Sequence, residues 1–348
     1  MPLNWEKFKQ VQENVFDLIG LTPLLRLPKI SKQAQVNILG KIEWYSPTGS
    51  LKDRIYYKMI HEAIARADLE PGMEIIESST GNAGIACSFV GRMLNYPVTI
   101  IMPEGMSQER RKLMAAYGAK IILTPGGESD VDLCLKKAKE LKEQNPGKYW
   151  EPAQFSNPDN PLAHYETTGQ EIWEQTAGNV DAFIASQGTG GTITGVGRFL
   201  REKNPKVKLY AIEPTEAPLL AHRKWGSHHI EGIGDGFVPL NLDLSMLDGI
   251  ITTTSDEALE MAQWLSREEG LFCGISSGCN VAAALKLAKR HPELNTIVTM
   301  INDSGQRYFS TPLCGEPKAL DIPDREHPMD ARTKTELDKY QRNWEIIE

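Results

Sequence analysis

Lys52, in the run Ser46-Pro47-Thr48-Gly49-Ser50-Leu51-Lys52-Asp53-Arg54, is an amine set where it can react rather than brace the fold. The preceding segment, Val36 to Trp44, reads as a strand, and Ser50 with Asp53 three residues on reads as a capping box. Lys52 therefore falls in the first turn of a helix. A cation there faces the positive end of the helix dipole, which favours the neutral, nucleophilic amine needed for Schiff-base chemistry. The ordinary alternative is a solvated lysine beside a helix start.

Three more segments place small polar residues where a strand hands over to a helix. In Glu77-Ser78-Ser79-Thr80-Gly81-Asn82-Ala83-Gly84 the small side chains leave backbone N–H groups accessible at a helix N-terminus, which suits a substrate carboxylate. The Asn82 amide can bond a phenolate or carbonyl oxygen; a plain capped turn has the same composition. Ser186-Gln187-Gly188-Thr189-Gly190-Gly191-Thr192-Ile193 lacks the Gly-Lys-Ser/Thr of a Walker A loop, and Ile193 stands where the dinucleotide fingerprint needs its third glycine. What remains is a glycine nest with two threonines, suited to one phosphate. Gly270 to Asn280 ends in Ser276 and Ser277 before another helix, where serines cap by default.

These handovers need a sheet to carry them. Apolar runs at 74–77, 97–102 and 120–124 alternate with helices starting near Ala83, Ser107 and Asp130, and the pattern resumes at 180–185, 207–212 and 296–300. Strict alternation predicts an α/β protein with two open, mostly parallel sheet lobes and helices on both faces. In such sheets ligands sit beyond the carboxyl ends of the strands, where all four segments fall. Pro146 to Pro161 reads as a proline- and asparagine-rich crossing between lobes, and the charged residues from Asp330 onward read as an appended surface helix.

At 348 residues the chain exceeds what one core usually supports, so a cleft between two lobes is expected. A net charge of −8 disfavours nucleic acid and anionic membranes as partners. No apolar run approaches the ~20 residues that span a bilayer, the first residues lack the order of a signal peptide, and cytoplasmic residence is the expectation. Five cysteines, Cys87, Cys134, Cys273, Cys279 and Cys314, have the spacing of neither a disulfide framework nor a zinc site; four sit in or beside apolar stretches and read as core residues.

Taken in order, the four segments resemble the cysteine synthase and cystathionine β-synthase family of fold-type II pyridoxal phosphate enzymes, whose fold is that of the tryptophan synthase β subunit. The likeness runs from Ile19-Gly20-Leu21-Thr22-Pro23-Leu24 to Asn302-Asp303-Ser304-Gly305-Gln306-Arg307-Tyr308, and includes Met102 to Arg111, Gln154 to Pro158 and Glu231 to Phe237. It implies a larger cofactor-binding domain of 1–40 and 155–348, a smaller mobile domain of 41–154, and a helical extension at 330–348. It also implies that Lys52 holds the cofactor and acts as general base, that Asn82 contacts the ring oxygen, and that Gly188, Thr189, Gly190, Gly191 and Thr192 hold the phosphate. Ser276 would face the pyridine nitrogen; Ser79, Thr80, Gly81, Asn82, Gln154, Gly232 and Asp235 would meet substrate. A homodimer, and a serine acetyltransferase as partner, are implied too.

A serine hydroxyl is too weak an acid to protonate the pyridine, which favours loss of a β-substituent over transamination. Asp235 stands where a small residue is frequent in the family, and Ala83 replaces a usual threonine. A cleft-facing Asp235 would repel a phosphate leaving group, so O-acetylserine with sulfide is the first expectation; cystathionine formation or hydrogen-sulfide-producing β-replacement, with serine or cysteine as the first substrate, is second. Asp235 in a turn or in solvent is equally compatible with the sequence. A serine or threonine dehydratase and a non-enzymatic binding module are the remaining alternatives.

Overall fold

A computed structural model describes residues 6, 9–79, 81–127, 130–315 and 329–348; Thr80 lies outside the described residues. The chain opens with β1 (Leu24–Arg26), α1 (Pro28–Ala34), β2 (Asn37–Ile42) and α2 (Lys52–Ala65). It continues through β3 (Glu74–Ser78), α3 (Asn82–Met93), β4 (Val98–Pro103), α4 (Gln108–Ala116), β5 (Lys120–Thr124), α5 (Val131–Gln144) and β6 (Tyr149–Trp150). Then come α6 (Asp159–Ala163), α7 (Gln170–Gln175), β7 (Ala182–Ser186), α8 (Gly191–Lys203), β8 (Lys208–Pro214), α9 (Leu219–His222), β9 (Gly249–Thr253) and α10 (Ser255–Trp264). The last elements are α11 (Ile275–Arg290), β10 (Thr296–Ile301), α12 (Ala331–Tyr340) and β11 (Glu345–Ile347).

Two sheets result, ordered β1-β2-β10-β7-β8-β9-β11 and β5-β4-β3-β6. Both are parallel except for β1, which runs antiparallel to β2. The two open, mostly parallel sheets of the sequence reading are thus present. β4 and β10 are buried along their whole length, as central strands covered on both faces must be. The smaller sheet's core joins Ile75 and Ile100 to Ile55, Met59 and Ile60 of α2 and to Ile85 and Val90 of α3. Phe16 packs there too, against Tyr57 and Phe89. Cys87, Cys134, Cys273 and Cys279 are buried and Cys314 is exposed. Among the described residues no helix is long and apolar enough to cross a membrane.

Four expectations change. The strand read through Trp44 stops at Ile42, and Glu43–Tyr45 makes a 3-10 turn that swings the chain toward α2. The capping box is absent: Leu51 is the N-cap of α2, and the Asp53 carboxylate turns back to the Thr48 N–H (2.7 Å) and hydroxyl. The crossing at 146–161 holds β6, which edges the smaller sheet, and the short helix α6. Finally, the extension at 330–348 is helical only in part. After α12 the chain returns as β11, parallel to β9, because Ile347 and Trp344 gain burial at the sheet edge.

A buried ionic network fixes the start of α2. Arg54 binds Glu43 (Nε to Oε2, 2.7 Å) and Glu171 (Nη1 to Oε1, 2.6 Å), and Lys41 Nζ lies 2.6 Å from Glu171 Oε2. Thr22 donates to Glu43 at 2.7 Å. Burial favours a protonated Glu171, but Arg54 and Lys41 prevail and hold its carboxyl well below the usual range. The network ties Thr22 ahead of β1, Lys41 of β2 and Glu171 of α7 to a residue two positions beyond Lys52.

Candidate active site

One cavity brings together nearly every residue the sequence singled out. Lys52, Ser79, Gly81, Asn82, Gln154, Gly188, Thr189, Gly190, Thr192, Gly232, Asp235 and Ser276 all line it. Gly191 sits directly behind, as the first residue of α8.

Lys52 is half-buried at the first position of α2. The larger sheet sets its backbone: Leu51 N–H donates to the Asn302 carbonyl at 3.0 Å, and Ser50 bridges Asp303. Burial pulls the ammonium from its ordinary 10.5 to about 8, against the opposing charges of Asp235 and Glu77. Glu77 is itself raised to about 8 by burial. Near neutral pH an appreciable share of Lys52 is therefore already a free amine.

The glycine nest lines the same cavity. Gly190 has φ +75°, and a Cβ there would sit 2.8 Å from Leu242 Cα; a Cβ on Gly191 would overlap Asn160 Oδ1, and one on Gly188 would come within 2.6 Å of the Gly232 carbonyl. Only glycine lets the backbone N–H groups line this turn at the positive end of α8. Thr189 Oγ1 accepts from Asn160 Nδ2 at 3.0 Å, so its own hydrogen is left to donate. Thr192 Oγ1 lies 3.2 Å from His164 Nε2. Burial holds the His164 pKa well below its usual value, which keeps a second full charge out of this wall.

Ser276 Oγ accepts from Asn302 Nδ2 at 3.0 Å, again leaving its hydrogen free to donate into the cavity. At the α3 end, Ser79 Oγ accepts from the N–H groups of Gly81 (3.1 Å) and Gly84 (2.7 Å), taking over much of the capping that an anion would supply. Gln154 Nε2 donates to the Ser78 carbonyl at 3.1 Å. Asn82 is shared: its Nδ2 donates to Asp303 Oδ2 at 2.6 Å, its Oδ1 accepts from Arg307, and one amide hydrogen still faces away.

The set suits a phosphorylated aromatic aldehyde. It offers an amine for the carbonyl carbon, a nest for the phosphate, and a neutral donor in Ser276 for a ring nitrogen. Asp235 lines the same cavity and its charge reaches Lys52, which resolves the choice between cleft and solvent in favour of the cleft.

Sequence reasoning missed four participants. Asn160 braces the nest from α6, within the stretch that read only as a crossing, and His164 braces it from the turn just beyond that stretch. Arg110, 2% exposed on α4, crosses the cleft to pair with Glu231 and stacks 4.6 Å from the Tyr308 ring centre. Asn302 orients Ser276. Their types carried no local signal, since each acts through a partner distant in sequence.

One expected outcome tests the nest. Gly191→Ala forces a methyl onto Asn160, itself held by Gln154 and Thr189. Overpacking of this kind costs ~1–3 kcal/mol, so cofactor affinity should fall roughly 10- to 100-fold in equilibrium titration, with the fold retained by circular dichroism. Wild-type affinity in this variant would remove the nest from the site.

The family model "Pyridoxal-phosphate dependent enzyme" matches residues 15–303, leaving 330–348 outside the match. The chain is 43% identical over 302 residues to a cysteine synthase of Staphylococcus aureus, covering 86% of this chain and 96% of that protein. It is 47% identical over 304 residues to cysteine synthase A of Escherichia coli, covering 85% and 93%. Among solved structures, a hydrogen sulfide-producing enzyme of Fusobacterium nucleatum superimposes with a TM-score of 0.82 at 40% identity, over 86% of this chain and all of that one.

Proposed function

This chain belongs to the pyridoxal-phosphate dependent enzyme family, and we propose that it replaces the acetoxy group of O-acetylserine with sulfide, giving cysteine and acetate. The observation that carries the reading is that Lys52, Gly188, Thr189, Gly190, Thr192 and Ser276 line one cavity. When bound, pyridoxal phosphate supplies the electron sink that lets an α-proton and then a β-substituent depart.

The chain's own residues do the rest. Gly188, Thr189, Gly190, Gly191 and Thr192 bind the phosphate through N–H groups and hydroxyls. Asn82 gives its remaining amide hydrogen to the ring oxygen, and Ser276 donates to the ring nitrogen without protonating it. Ser79, Thr80, Gly81 and Gln154 receive the amino acid carboxylate at the α3 end. Lys52 would hold the cofactor and, as a free amine, would accept the α-proton as general base. The smaller domain, 41–154, closes on the larger one of 1–40 and 155–348 to exclude water, and Phe16 travels with the smaller core. Homodimeric assembly, cytoplasmic residence and docking of a serine acetyltransferase belong to the same reading.

Asp235 in the cleft supports a second reading, release of hydrogen sulfide from cysteine, in line with the name of the Fusobacterium relative. Its carboxylate disfavours a phosphate leaving group but is compatible with acetate or sulfide. Purified holoprotein mixed separately with O-acetylserine, O-phosphoserine, serine and cysteine, with and without sulfide, discriminates the two. Cysteine formed fastest from O-acetylserine and sulfide supports the first reading. Sulfide release from cysteine at a higher kcat/KM supports the second, and turnover of O-phosphoserine above both contradicts the role given to Asp235.

Cofactor capture should follow the Lys52 titration. Because only the neutral amine attacks, apoprotein reconstitution should quicken about tenfold per pH unit below pH ~8 and level off above it. Stopped-flow absorbance measures this. A rate still climbing at the same slope beyond pH 10 would mean that the amine is not perturbed.

A further inference from the structure

The segment from Asp330 reaches back toward the cleft. Gly232 (φ +91°), Gly234 (+73°) and Gly236 (+81°) all stand in the left-handed region around Asp235, so this loop has little stiffness of its own. Its shape comes from anchors outside it. On one side the Gly234 N–H donates to the Gln187 carbonyl at 3.2 Å, and Phe237 packs edge-on against Phe155 with ring centres 5.0 Å apart. On the other, the Val238 N–H donates to Thr333 Oγ1 at 3.1 Å and the Val238 carbonyl accepts from the Arg332 guanidinium. Both polar groups of one backbone residue are thus held by two consecutive residues of α12.

The grip is itself braced. Thr333 is 1% exposed, and Asp330 orients it by accepting its N–H at 2.9 Å and its hydroxyl at 2.6 Å. Leu337 and Trp344 share a buried cluster with Val238. Arg223 binds Asp338 and Gln341, and β11 adds to the larger sheet.

We propose that α12 is a clamp on the cleft loop: by holding Val238 through Thr333 and Arg332 it fixes where Gly232–Phe237 presents Asp235 beside Lys52, and so positions the loop that meets the amino acid substrate. Thr333 and Arg332 are positioning residues in this scheme. The inference rests on the β-replacement reading.

Thr333→Val keeps the size and removes the acceptor; Thr333→Ser keeps the acceptor. In holoprotein, loss of one such hydrogen bond should speed amide exchange across 232–238 by about 2- to 12-fold in Thr333→Val and raise KM for O-acetylserine by a similar factor. Cofactor absorbance and the rate of acetate release at saturating O-acetylserine should match wild type, and Thr333→Ser should restore both exchange and KM. Arg332→Ala, at an exposed position, gives the same readouts if Thr333→Val does not fold. Unchanged exchange and KM overturn the clamp, as does a loss of melting temperature with kcat and KM preserved. Wild-type protein that releases no acetate overturns the β-replacement reading instead, and the exchange data then decide the clamp alone.

Discussion

Replacing Lys52 with alanine should lower kcat for cysteine formation by about 10⁴-fold or more, since both the covalent anchor and the general base are removed, and general acid–base catalysis alone contributes ~10²–10⁴. The fold should survive. Alanine is the best helix former, and position 52 opens α2 with its side chain half-buried, so no packed core is emptied. Lys52→Arg should fail as completely, because a guanidinium keeps the charge but stays protonated. Turnover within tenfold of wild type in either variant would end the mechanism; loss of the folded state in both would show that the lysine is structural.

Arg54→Leu should produce the largest loss of stability. It leaves Glu43 and Glu171 facing each other without their shared cation in a site where Arg54, Glu43 and Glu171 are at most 2% exposed. Removing one member of a buried ion pair costs ~3–5 kcal/mol, read as a lower urea midpoint at unchanged m-value. Lys41 still pairs with Glu171, so restoration should come from a second change, Glu43→Leu, which removes the carboxylate that, among the described residues, forms its salt bridge with Arg54 alone. Activity should fall along with stability, because the same network sets the start of the helix that carries Lys52. A cost under about 1 kcal/mol would show that the network is incidental to α2.

The sheets and three of the four handovers were legible because their signals are local; at the fourth, 270–280, no strand leads directly into α11 among the described residues and Cys273 makes only an isolated bridge to Ser304. Alternating Ile and Val runs announce strands buried on both faces, and glycines before a helix announce a nest whatever lies around them. The geometry confirms that logic at Gly190 and Gly191, where a Cβ has no room. What escaped depends on contacts far apart in sequence. Asp53 has the right spacing to cap α2, yet Thr48 offers two donors and wins. β6 is two residues long, and β11 exists only because β9 leaves an edge open to it. Arg110 and Glu231 are 121 positions apart, and nothing in either neighbourhood points to the other. Asp235 sat between two readings until the fold placed it on the cavity wall.

The most direct test is chemical. Holoprotein reduced with borohydride, digested and mapped by mass spectrometry should carry the pyridoxyl mass on the peptide containing Lys52 and on no other. The mass on a different lysine, or on none, would contradict the account at its root.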